Sequence, residues 1–170
     1  TIKGRTLSES NDIMNLLEYE FPDNKPLYPT SEADKQKVAQ MLRLERELFG
    51  VWFQWLRSPS FPGLNMQEKE MDKVLRKVDA ELQKTDSDGP YFLGKELSIV
   101  DIMYTPFLER MAASLPYFKG FESRSDKYPY LMKWYEAMDT RDTYQGIKSD
   151  YFTHNHDLPP QIGGAVPSGN

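Results

Sequence analysis

The hexapeptide Leu97-Ser98-Ile99-Val100-Asp101-Ile102 constrains this chain more than any other segment. Ser98 is a helix N-cap, and Asp101 stands at the third helical position, where the two side chains can cap each other's backbone amides. Leu97 before the cap and Ile102 after it have the spacing of a hydrophobic staple. The helix started by this box reads Ile-Met-Tyr-Thr-Pro-Phe-Leu over 102–108, runs to about Leu115 and is apolar on most faces. A helix with no polar face is stable only when other elements wrap it. The pattern therefore predicts a central helix inside a helical bundle, kinked where Pro106 removes a backbone donor.

The rest of the chain supplies the wrapping. Ile13, Met14, Leu17 and Phe21 recur at spacings of three and four, so a helix opens at Ser10 as N-cap and ends at Pro22. Residues 22–30, with Pro22, Pro26 and Pro29, read as a linker. A long helix follows over 31–57, capped by Ser31 with Asp34, and its stretch from Phe49 to Leu56 is apolar almost all round. An amphipathic helix over about 65–84 faces Met71, Val74, Leu75, Val78 and Leu82 inward. Another spans about 128–139 on Leu131, Trp134, Tyr135 and Met138, and a short helix lies within 140–150. Residues 151–170 show no apolar period and are expected to be an extended tail. Residues 2–8 read as one short strand, which is not stable without a partner. The fold class is all-α.

Composition narrows the function. The formal net charge is −5, which lacks the basic footprint of a nucleic-acid binder. No apolar run is long enough to span a membrane as a helix. With no Cys, the chain has no thiolate nucleophile and no Cys-ligated zinc. Only 39% of the residues are hydrophobic, so the core leans on 10 Tyr, 9 Phe and 3 Trp.

Three places could carry chemistry. Glu9-Ser10 stands where an extended segment meets a helix N-terminus, whose free amides and dipole favour an anion, while the Glu9 carboxylate suits an ammonium group. Together they could hold an amino acid's two charged ends; the alternative is an ordinary cap beside a solvated Glu. Trp52, Phe53 and Trp55 either line a small-molecule cavity or fill the core. His154 and His156, in Thr-His-Asn-His-Asp, could be read as metal ligands. Residues two apart do not share a helix face and no further ligand is indicated, so a polar tail is preferred and no metal is expected.

Several of these motifs meet in one family. Leu7 to Glu18 resembles the end of a thioredoxin-like domain, with its Glu-Ser pair, and Pro22 to Pro29 resembles an interdomain linker. Gly89-Pro90-Tyr91-Phe92-Leu93-Gly94-Lys95-Glu96-Leu97-Ser98-Ile99-Val100-Asp101 resembles the loop and capping box of the buried helix in glutathione transferases. The resemblance covers about residues 5–150. It implies residues 1–21 as the end of a thioredoxin-like domain, 22–30 as linker, 31–150 as the helical C-terminal domain and 151–170 as tail. It implies that Glu9 and Ser10 hold the γ-glutamyl end of glutathione. It puts Trp52, Phe53 and Tyr104 near a pocket for a small apolar electrophile, and makes Ser98 and Asp101 a structural pair. The family's catalytic Tyr, Ser or Cys belongs to the start of the thioredoxin-like half, so the chain as it stands is expected to activate no thiol. Two readings follow. One is glutathione-dependent conjugation or reduction once that half is joined; the other is a non-catalytic subunit, in a homodimer or a larger assembly. His156 to Gly164 is similar to the C-terminal ends of plastid glutathione-transferase-like proteins, which implies a plastid, or otherwise the cytoplasm.

Overall fold

The computed structural model describes residues 4, 6–58 and 66–161, with side chains of the last helix as far as His156. Seven helices run through the described residues: α1 (Ser10–Glu20), α2 (Glu32–Arg57), α3 (Met66–Gln83), α4 (Ile99–Lys119), α5 (Pro129–Asp139), α6 (Asp142–Gln145) and α7 (Tyr151–Gln161). Among those residues there is no strand, only an isolated bridge between Tyr91 and Gly94. Of the strand expected over 2–8, residues 2, 3 and 5 lie outside the described residues. Residues 6–8 join no β-ladder among the described residues, and without a ladder an extended segment is not a strand.

The expected box starts α4. Asp101 is fully buried and accepts from the Ser98 amide at 2.8 Å, the Ser98 hydroxyl at 2.7 Å, the Phe92 amide at 3.2 Å and the Trp134 indole at 2.9 Å. One carboxylate thus ties the start of α4 to its preceding loop and to α5. Burial pushes this carboxyl above its ordinary range against the pull of those donors. Phe92, Tyr104 and Trp134 pack on the same spot, with ring centroids 4.4 and 6.3 Å apart. α4 continues as one helix through Pro106 and Pro116 and ends at Gly120, whose φ of 65° suits a residue without a Cβ. Around it α2 packs on one side and α7 on another, α3 packs against α2, and α5 against α3.

Two helix starts are served in different ways, one by its own cap and one from another helix. The Ser31 hydroxyl accepts from the Asp34 amide at 3.1 Å and donates to its carboxylate at 2.6 Å, as the sequence pattern predicts. α5 has no side-chain cap of its own; Asp79 of α3 accepts from the Tyr130 and Leu131 amides at 2.7 and 2.9 Å.

The expected extended tail needs correction over its first half. Residues Tyr151–Gln161 form α7 and pack on α4. Asp150 caps this helix, accepting from the Thr153 amide at 2.8 Å and hydroxyl at 2.9 Å. The Asp-x-x-Thr signal is present in the sequence, but Pro159-Pro160 and the lack of an apolar stripe hide it. Residues 162–170 lie outside the described residues.

Candidate functional site

Leu27 positions the site. Its amide donates to both carboxylate oxygens of Glu18 on α1, at 3.1 and 3.2 Å, and its carbonyl accepts from the Ile99 amide at 3.0 Å. The ion pair of Lys25 with Glu96, at 2.7 Å, spans the same seam. The linker thereby clamps α1 beside the start of α4. Between α1, α2 and α4 this leaves a cleft of about 460 Å³.

The cleft has a polar rim and an apolar floor. Glu9, Ser10, Asn11 and Met14 come from the start of α1, Glu45, Arg46 and Phe49 from α2, and Ile102, Met103, Pro106 and Phe107 from α4. Glu9, not Ser10, is the N-cap: its backbone is extended and its carbonyl accepts the first helical bond, from Ile13 at 3.0 Å. No side chain caps α1, so the amides of Ser10, Asn11 and Asp12 have no acceptor among the described residues. They form a positive helix end at the rim. On the floor, Phe49 meets Phe107 edge-on at 5.1 Å and stacks with Phe53 at 5.6 Å.

Glu45 is the unusual member of the lining. It is 5% exposed as a residue, its carboxylate has no hydrogen bond or ion pair among the described residues, and its oxygens keep an opening to the cleft. Burial pushes its carboxyl up, against the pull of neighbouring Arg46.

Of the residues singled out from the sequence, Glu9 and Ser10 line the cleft together. Trp52 and Tyr104 do not. Trp52 is buried and donates to the Ser114 hydroxyl at 3.0 Å; Tyr104 is buried and donates to the Met41 carbonyl at 2.8 Å, and burial pushes its hydroxyl far up. Phe53 is half-buried behind Phe49, with the Arg57 guanidinium 5.3 Å from its ring centre. Trp52, Phe53 and Tyr104 thus share helices with the cleft lining but not its face, and because both segments are apolar on nearly every side the sequence does not distinguish the faces. Phe49, Met103, Phe107 and Glu45 line the cleft instead, and no local signal in the sequence separates them from their neighbours. His154 lies 4.0 Å from Glu109 of α4, and the His156 ring stacks on Phe152. Among the described residues no three His, Asp or Glu side chains gather as a metal site would require.

The family model for the glutathione S-transferase C-terminal domain matches residues 43–137, more than half of the sequence. The chain belongs to the glutathione S-transferase family. It is similar to glutathione S-transferase L1 of Arabidopsis thaliana, 33% identical over 147 residues that cover 86% of this chain and 58% of that protein. It is also similar to the chloroplastic glutathione S-transferase L2 of the same plant, 27% identical over 86% of this chain and 47% of the relative. The chain therefore spans about half the length of these relatives. Among solved structures, the trimeric glutathione transferase TDR1 of Leishmania matches with a TM-score of 0.76, at 23% identity over 94% of this chain and 36% of the other. That likeness is one of fold. All the cleft residues that come from α2 and α4 lie within the span of the family model.

Proposed function

We propose that the cleft is the part of a glutathione site contributed by the helical half of a glutathione transferase, one that conjugates or reduces small apolar electrophiles when joined to a thioredoxin-like half. The observation that carries this reading is the cleft's division into a charged rim and an aromatic floor. The γ-glutamyl carboxylate of glutathione is seated on the free amides of Ser10, Asn11 and Asp12, and its ammonium group on the Glu9 carboxylate. The electrophile lies on Phe49, Met103 and Phe107, so that binding on both sides of the rim brings sulfur and carbon together. Activation of the thiol is assigned to the thioredoxin-like half, where the family keeps its catalytic Tyr, Ser or Cys. The chloroplastic relative supports a plastid location, and the trimeric relative supports assembly into an oligomer.

Calorimetric titration of glutathione tests this reading. Glu9→Gln is expected to weaken binding by about tenfold, as for the loss of one charge-assisted hydrogen bond. Ser10→Ala is expected to change it less, because the Ser10 amide remains. Equal affinity for glutathione and for N-acetylglutathione, whose ammonium group is blocked, would overturn the assignment, as would an unchanged affinity in Glu9→Gln.

A further inference from the structure

Glu45 is a largely enclosed residue whose carboxylate meets no donor among the described residues and opens on the cleft. The contrast with Asp101 is direct: the fully buried Asp101 is met by four donors, whereas Glu45 meets none among the described residues. A carboxylate with little solvent around it gains from a donor, and one that opens on a cleft can take that donor from a ligand. The nearest candidates inside it are committed or turned away. Tyr104, close enough for its hydroxyl to feel the Glu45 charge, donates to Met41; Arg46 is exposed to solvent and makes no hydrogen bond to Glu45. Glu45 also lines the cleft one helical turn before Phe49, so the carboxylate and the aromatic floor share a face of α2. The other charged side chains on the lining are Glu9 and Arg46. Two carboxylates against one guanidinium disfavour an anion over the floor.

We infer that Glu45 selects the apolar ligand of the cleft by its polar end, accepting a hydrogen bond from an ammonium or hydroxyl group on an aromatic compound that lies against Phe49 and Phe107, and rejecting the corresponding carboxylate. This rests on the reading of the aromatic floor as the electrophile's seat, and it narrows the substrate class to aromatic molecules that carry a donor.

The test compares three ligands that share one ring system: 1-naphthylmethylamine, 1-naphthalenemethanol and 1-naphthoate, each titrated calorimetrically into the 170-residue chain at neutral pH. The amine is expected to bind about tenfold or more tightly than the carboxylate, the range of a charge-assisted hydrogen bond. In Glu45→Gln, which keeps the side chain's shape, that preference should collapse to about twofold while helical circular dichroism is unchanged. Should that variant not fold, Glu45→Asp decides: withdrawing the charge by one methylene should give an intermediate preference. The inference is overturned if none of the three ligands binds, if wild type binds amine and carboxylate alike, or if the preference survives in Glu45→Gln. Glutathione titrated into the same proteins separates the two readings. If Glu45→Gln loses glutathione but keeps the naphthyl preference, Glu45 serves the tripeptide and the inference falls while the glutathione reading stands. If wild type ignores glutathione but shows the Glu45-dependent preference, the glutathione reading falls and the inference stands.

Discussion

Replacing Asp101 by Ala should be among the most damaging single changes available in this domain. The carboxylate is fully buried and is the acceptor for the amides of Ser98 and Phe92 and for the Trp134 indole, besides the Ser98 hydroxyl. The hydroxyl can rotate to another partner, but the three N–H groups cannot. Each buried donor left without an acceptor costs about 1–3 kcal/mol. They share one acceptor and will relax together, so a total of about 3–5 kcal/mol is expected rather than the full sum. That is a large fraction of the roughly 5–15 kcal/mol that holds a domain together. With a urea slope of about 2 kcal/mol per molar, the unfolding midpoint should fall by about 2 M. Equilibrium urea unfolding followed by circular dichroism reads this directly. Asp101→Asn should cost less, because its amide oxygen can still serve Phe92 and Trp134 while its NH2 faces the Ser98 amide. The expected order of midpoints is wild type, then Asn, then Ala. If the Ala variant unfolds within about 0.3 M of wild type, less than 1 kcal/mol by the same slope, the account of Asp101 as the organiser of this corner is wrong.

Two further outcomes concern stability. A Cβ on Gly89 would sit 2.5 Å from the Lys95 Cα and 2.7 Å from the Gly94 carbonyl oxygen, so Gly89→Ala must push apart the loop that delivers Phe92 to the core. A loss of about 1–3 kcal/mol is expected, visible as a lowered Tm; an unchanged Tm would mean that the loop yields freely. Burial works to raise the Asp139 carboxyl, but hydrogen bonds from Lys148 and Arg124, both at 2.5 Å, outweigh it and hold it below its usual range. A depressed folded value gives stability that is present above the unfolded carboxylate value, near pH 4, and is lost as pH falls through the folded value. Acid unfolding of Asp139→Asn should therefore show a shallower loss below about pH 4 than wild type. A parallel acid limb would refute the ion-pair account.

The sequence by itself determined the helices whose signals are local. The Ser98–Asp101 box, the Ser31–Asp34 cap and the apolar stripes of α2, α3 and α5 each place a helix within a few residues of where it is found, because capping and amphipathicity act over one or two turns. The pairing of Glu9 and Ser10 at a helix start was legible for the same reason, although the cap proved to be Glu9. Faces were not legible where a segment is apolar all round. Periodicity cannot tell whether Trp52 or Phe49, Tyr104 or Phe107, turns toward the cleft; that is decided by how α2 and α4 pack. Nor could the sequence show that Asp79 caps α5 from α3, or that the Asp150 cap gives a weakly amphipathic segment a helix that docks on α4. Above all, nothing local marks Glu45 as different from the other glutamates of α2. Only the packing of α2 with α1 and α4 encloses it so that its carboxylate opens on the cleft without a donor, and that placement is a property of the packed bundle rather than of any stretch of chain.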